Sequence, residues 1–321
     1  MRHGIDELLK AGPQVEIVII DDGSTDETPQ IADDYATQNA NRVKVIHQVN
    51  GGHGKAIMTG LAHASGEYFK VVDSDDWLDL AALNHVLATL ADPASDHPDM
   101  LITNYVYDNV GVAQQKVVRF SHLLPTNHTC YWSRVHVQTG KYFLMHAVTF
   151  KTALLKAIPL WLPEHTFYED DLYVFQPLPQ VKKLRYLDVD LYHYFIGRED
   201  QSVNEAVMIK RIDQQLFVNR TLIKEYGQAI AHCDSWRLRR YMRSYVAIIT
   251  AISSVLLLRE GSAESLAKKA ELWRFIRHTQ PGLYVQMRNS LVGQAVNLPG
   301  AWGRKLTVKV YGLAQRLYGF N

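Results

Sequence analysis

Four clusters in this sequence combine residue types that can do chemistry, and the first is Asp73-Ser74-Asp75-Asp76. It follows the apolar run Tyr68-Phe69-Lys70-Val71-Val72 directly, so at least two carboxylates leave a strand end into the same space. Oxygen ligands of that kind suit Mg²⁺ or Mn²⁺, which keep several waters and bind through one or two carboxylates plus substrate phosphates. A nucleoside diphosphate fits such a site. The competing reading is that Ser74 or Asp75 caps a helix beginning near Leu78.

Asp21-Asp22 has the same placement, after Val15-Glu16-Ile17-Val18-Ile19-Ile20 and before a turn. Ser24, Asp26 and Glu27 can satisfy a turn and a capping box there, which leaves Asp22 as the surplus acid, able to accept from a base or ribose. In Asn50-Gly51-Gly52-His53-Gly54-Lys55-Ala56 the glycines let backbone amides approach a phosphate, and Lys55 can meet its charge at a helix N-terminus. The loop is not a Walker motif, because Val49 and Ala56 stand where glycine and Ser or Thr are needed. The fourth cluster, Tyr168-Glu169-Asp170-Asp171, offers a general base from a distant segment; its bland reading is acidic charge at a helix start.

The elements that must hold these clusters alternate. A helix over 4–11, a strand at 15–20, a helix to about 38, a strand at 42–48, a glycine turn opening a helix, and a strand at 67–72 give β-α-β-α-β. That order implies parallel strands with helical crossovers and ligands beyond the strands' carboxyl ends, where both first clusters fall. A helix over 79–91 and a strand near 99–108 follow, and residues 205–275 have long helical periodicity. The GxGxxG fingerprint of a dinucleotide oxidoreductase is absent.

The chain has 321 residues, 47% hydrophobic, with 34 basic and 33 acidic residues. This balance favours no nucleic-acid partner. Cys130 and Cys233 have no metal-knuckle spacing, and the charged first residues do not read as a secretory leader, so a cytoplasmic location is expected. The apolar run Tyr245–Leu258 falls short of the roughly 20 residues a bilayer span needs and reads as a buried helix.

Taken in order, Asp-Asp-Gly-Ser-Thr-Asp-Glu-Thr, Asn-Gly-Gly-His-Gly-Lys-Ala, Gly-Glu-Tyr-Phe-Lys-Val-Val-Asp-Ser-Asp-Asp-Trp and Phe-Tyr-Glu-Asp-Asp-Leu-Tyr closely resemble the family 2 glycosyltransferases over about residues 4–200. The resemblance implies an α/β GT-A fold, Rossmann-like with a mostly parallel sheet, followed by a C-terminal helical extension. Residues 1–100 would form the nucleotide-sugar half, 101–203 the acceptor half and 204–321 the helical region. It implies that Asp22 contacts the base, that Asp73 and Asp75 hold ribose and the Mn²⁺- or Mg²⁺-bound diphosphate, and that Asp170 is the base of an inverting displacement. The register of Asp170 against Glu169 and Asp171 is open by one residue. Lys55 and Arg198 would be phosphate contacts, and His193 a weaker candidate metal ligand.

The implied donor is a nucleotide diphosphate sugar, a UDP-sugar first, and the acceptor a saccharide or lipid-linked hydroxyl in bacterial cell-surface polymer synthesis. No QxxRW motif or run of membrane helices suggests processive synthesis. Relatives begin with an apolar strand that this sequence lacks, which raises a truncated start and weakened donor binding, or a non-catalytic nucleotide-sugar-binding descendant, as the alternative. Basic residues beside the apolar run at 237–258, and the basic, apolar tail 303–320, could meet an anionic membrane at its inner face or a partner.

Overall fold

The computed structural model describes residues 1–109, 115–138, 140–197, 201, 204–231 and 233–318. Residues 1–136 with 143–197 form one compact unit, and 137–142 with the chain from 198 onward form a second.

The first unit opens with α1 (Arg2–Lys10), β1 (Ile17–Asp21), α2 (Thr28–Gln38), β2 (Val43–His47) and α3 (His53–His63). β1 and β2 pair in parallel, from Ile17 against Val43 to Asp21 against His47, as a helical crossover between them requires. α1 lays Ile5, Leu8 and Leu9 over Ile17 and Val43, and the Arg42 guanidinium closes its C-terminal end on the Leu9 carbonyl at 3.1 Å. α2 begins later than the Ser24–Glu27 capping box predicts. Asp26 accepts from the Thr28 N–H at 2.9 Å, and Pro29 occupies the first turn, where its missing donor costs nothing.

Two short strands come next, β3 (Tyr68–Phe69) and β4 (Trp77–Leu78), then α4 (Leu80–Ala91). Asp79 caps α4 by accepting from the Ala82 N–H at 2.8 Å. Neither Ser74 nor Asp75 is that cap, so the acidic turn before it is left for other work. β5 (Met100–Asn109), β6 (Lys116–Val118), β7 (Thr129–Tyr131), β8 (Val148–Lys151), α5 (Thr152–Ala157), α6 (Asp170–Phe175) and β9 (Lys183–Ile196) complete the unit. The larger sheet runs β3-β8-β5-β9-β4, with β6 on β5 and β7 on β9. Its central pair, β5 and β9, is parallel, while the other ladders are antiparallel. Met100, Leu101, Ile102, Phe150, Tyr173 and Tyr186 are fully buried around that centre.

The strand expected over 67–72 forms a ladder only at Tyr68 and Phe69. Among the described residues β1 pairs with β2 alone and β3 with β8 alone, so the strands fall into two sheets. Side chains join the pieces instead. Glu16, just before β1, accepts from the backbone N–H groups of Ser65 (2.7 Å) and Gly66 (3.1 Å), just before β3, and from Lys44 at 2.6 Å. α3 packs beneath both strands at Gly60, where a β-carbon would lie 3.7 Å from Ile20 and 3.8 Å from Phe69.

The second unit is helical: α7 (Glu205–Lys210), α8 (Ile212–Ala231), α9 (Trp236–Glu260), α10 (Ala263–Thr279), α11 (Pro281–Asn289), α12 (Leu291–Ala295) and α13 (Gly300–Tyr318). α9 is long and apolar enough to cross a membrane by composition, yet Tyr241, Tyr245, Val246, Ile249 and Leu257 are buried in this unit. Its polar residues are satisfied there: Ser253 and Ser254 donate to the carbonyls four residues back, and the Trp273 indole N–H donates to Ser254 at 3.0 Å.

Burial opposes the charge on Glu16, but the bonds from Lys44, Ser65 and Gly66 outweigh it and hold the carboxyl down at about 2. A depressed folded value means stability that is present above the unfolded value near 4.5 and lost as pH falls towards 2. Glu16→Gln is expected to lower unfolding stability by about 1–3 kcal/mol at neutral pH. Urea titrations should show that difference shrinking through this acid window.

Candidate active site

The acidic turn is positioned by β9. Both oxygens of buried Asp76 are occupied: Oδ2 accepts from the Tyr192 hydroxyl at 2.6 Å and Oδ1 from the Phe195 N–H at 2.8 Å. Tyr192 in turn accepts from the Asp73 N–H at 3.1 Å, so one phenol holds both ends of the turn. Burial pushes Asp76 up to about 7 against these bonds. Lys70 anchors the approach by donating to the carbonyls of His146 (2.8 Å) and Val148 (3.3 Å). Burial drives its ammonium down to about 7, with Asp73 opposing.

Asp73 is the meeting point. His53, the first residue of α3, places Nε2 3.1 Å from Asp73 Oδ1 and Nδ1 2.7 Å from Glu169 Oε1. Both ring nitrogens face carboxylates, which only the doubly protonated imidazole can serve. Burial would discharge His53, but Asp73 and Glu169 outweigh it and hold its pKa well above the usual value. Asp73 is correspondingly held well below the carboxylate range, burial being overcome by His146 and His53.

Glycines make the approach possible. A β-carbon on Gly54 would lie 2.8 Å from the Pro163 carbonyl and 3.0 Å from Glu169 Cγ, and one on Gly52, at φ 84°, would lie 2.9 Å from the His165 nitrogen. The sequence suggested that this loop presents amides to a phosphate. Instead, the Gly51 and Gly52 N–H groups donate to the two oxygens of Asp22 at 2.9 and 2.7 Å, and Gln48 donates to Asp22 Oδ1 at 2.6 Å. Asp22 therefore orders the loop that carries His53. Lys55 pairs with Glu164 at 3.1 Å on the surface.

Of the three acids at α6, Glu169 is buried against His53 and Asp171 is buried, while Asp170 is partly exposed. Among the described residues no hydrogen bond to the Asp170 carboxyl is found. Burial, with the Glu169 charge beside it, pushes Asp170 up to about 6.

Ligand atoms of Asp73, Asp76 and His146 all lie within 4.8 Å of one another. His146 is 5% exposed and both its ring nitrogens are buried without a hydrogen-bond partner, with Nε2 3.7 Å from Asp73 Oδ2. An orphaned imidazole beside a charged carboxylate fits a divalent cation. Asp76 has spent its oxygens on β9, so Asp73 and His146 keep the capacity to coordinate. Asp75, half-buried in the same turn, is not in that group. His193 stacks on Trp77 at 5.1 Å and bonds Asp108 at 2.6 Å, a structural role. Arg198 lies outside the described residues.

The family model described as glycosyl transferase family 2 matches residues 1–153. Those residues, just under half of the chain, carry that family's pattern. EpsH of Bacillus subtilis strain 168 is 27% identical over 252 residues, covering 77% of this chain and 69% of EpsH. The poly(ribitol-phosphate) β-N-acetylglucosaminyltransferase TarS of Staphylococcus aureus strain Mu50 is 29% identical over 194 residues, 60% of this chain but 32% of TarS. The crystal structure of S. aureus TarS 1–349 with UDP-GlcNAc matches with a TM-score of 0.66 at 20% identity, over 97% of this glycosyltransferase and 88% of that chain. The shared fold is GT-A, an α/β sheet flanked by helices, followed here by the helical unit.

Sequence reasoning missed His53, His146, Lys70 and Tyr192 as site residues. His53 was visible inside the glycine loop, but its two carboxylate partners come from segments far along the chain, and nothing around His146 marks it.

Gly54→Ala is expected to displace the 162–169 loop and cost about 1–3 kcal/mol, read in thermal unfolding, because its nearest clash is with backbone. For His53→Ala, with His53 41% exposed and screening discounted, the expected loss is roughly 1 kcal/mol. Its turnover should fall much further than its stability.

Proposed function

We propose that this glycosyltransferase moves a sugar from a nucleoside diphosphate donor, a UDP-sugar first, to a hydroxyl with inversion at the anomeric carbon. The observation that supports the reading is the His53 bridge, which joins the Asp73 turn to Glu169, the neighbour of Asp170 in the chain. Asp170 takes the proton of the acceptor hydroxyl as its oxygen bonds the anomeric carbon and the bond to diphosphate breaks. Asp73, with Asp75 and His146, would hold Mn²⁺ or Mg²⁺, which supplies charge stabilisation for the leaving diphosphate. Asp22 borders the nucleotide, where a base would share the carboxylate that now orders the loop. Lys55, released from Glu164, and Arg198 are the remaining phosphate contacts.

The TarS structure with UDP-GlcNAc on the same fold supports a UDP donor, and TarS, a poly(ribitol-phosphate) β-N-acetylglucosaminyltransferase, supports a polymer as acceptor; the acceptor class proposed is a cell-surface polymer, saccharide or lipid-linked. The free cysteines Cys130 and Cys233 agree with a cytoplasmic setting.

Release of nucleoside diphosphate from a panel of UDP-, GDP-, CDP- and dTDP-sugars tests the reading. Metal-dependent release that is abolished by EDTA and by Asp75→Ala is expected, and equal rates with and without metal would refute the cation's part. Asp170→Asn should lower kcat about 10²–10⁴-fold with donor affinity kept. Because Asp170 must be ionised to act, kcat/KM for the acceptor should rise with pH through about 6 and level off above it. A profile flat from pH 5 to 8 would remove Asp170 as base.

A further inference from the structure

From Leu272 to Asn321 the sequence holds seven Lys and Arg and no Asp or Glu, in a chain whose net charge is only +1. The helices built from this stretch also show large apolar side chains to solvent: Leu291 on α12 is 86% exposed and Trp302 on α13 is 75% exposed. On α13 the pattern is sided. Gly303 and Thr307 are buried on one side, where the Thr307 hydroxyl donates to the Ala295 carbonyl and ties α13 to α12. Trp302, Lys305 and Lys309, spaced i, i+3 and i+7, share the exposed side.

Beside that side an open cavity of about 550 Å³ lies between α9 and α13, lined by Arg259, Arg304, Lys305, Lys309, Leu258 and Val308. Arg259 is engaged by Glu205. Among the described residues Arg304, Lys305 and Lys309 have no acidic partner, so the cavity has uncompensated positive walls and an apolar component. Cations alone would serve a polyanion, but they give Trp302 and Leu291 no role. Cations with an interfacial tryptophan and exposed aliphatic groups match the headgroup boundary of an anionic bilayer.

We propose that α12 and α13 form a face that lies on an anionic phospholipid surface, with Trp302 and Leu291 entering the headgroup boundary and the Arg304–Lys305–Lys309 cavity taking a lipid phosphate. This rests on the helical unit alone and stands apart from the reading of the active site. Such a face holds the enzyme at a surface without a spanning segment.

Flotation of the full chain with phosphatidylcholine vesicles, with and without a third of phosphatidylglycerol, tests it. Binding only to the anionic vesicles is expected, weakening as salt is raised. Each cation near the surface contributes roughly five-fold in affinity, so the double variant Lys305→Glu, Lys309→Glu should lose at least about 25-fold, with its melting temperature and donor hydrolysis in the absence of vesicles unchanged. Equal binding to neutral vesicles, an unaffected double variant, or binding to heparin with none to vesicles would overturn the proposal. A second measurement is independent of charge: tryptophan quenching by brominated lipid should be present in the wild type and lost in Trp302→Phe. Quenching that survives the substitution also counts against it.

Discussion

The site depends on one imidazolium. Asp73 and Glu169 come from segments that meet only in the folded chain, and two carboxylates sharing a partly buried space repel each other. His53 sits between them with a donor for each. Its charge permits the approach, and their charges keep it protonated. The acidic turn and the start of α6 are thereby parts of one arrangement, and Asp170, next to Glu169, feels the charges of Glu169, His53 and Asp73.

Much of the surrounding structure serves that contact. Asp22 uses both oxygens to fold the glycine loop from which His53 projects. Gly52 and Gly54 remove the β-carbons that would otherwise strike the backbone near His165 and Pro163. On the opposite side Asp76 and Tyr192 fasten the acidic turn to β9, and Lys70 fastens its approach to the backbone before and at the start of β8. Each of these bonds closes a long loop of chain, so a modest free energy from each is concentrated on the relative placement of a few oxygen and nitrogen atoms.

The first unit achieves this although its strands fall into two sheets. Where β1 and β3 do not share a ladder, Glu16 bridges their starts and α3 packs below both. The same helix carries His53 at its N-terminus. Support for the divided sheet and support for the site therefore run through one element.

The alternation of apolar runs with acid- and glycine-rich turns was enough to determine the α/β class and the placing of Asp22 at the end of β1, because these depend on local periodicity and motif order; the turn of Asp73 and Asp75 lies beyond β3, which stops at Phe69. Helix starts were less legible: α2 begins at Thr28 because Asp26 and Pro29 out-compete the Ser24–Glu27 box, a choice among local bonds of similar strength. Only the tertiary structure decided that Asp79, not Ser74 or Asp75, caps α4, that Gly51 and Gly52 spend their amides on Asp22, and that Glu169 is the acid at the start of α6 that bonds His53. It also revealed His53 and His146 as members of the site. A residue's type states which bonds it can make; which it does make depends on partners brought near by folding, and for His53 one of those partners lies 116 residues away.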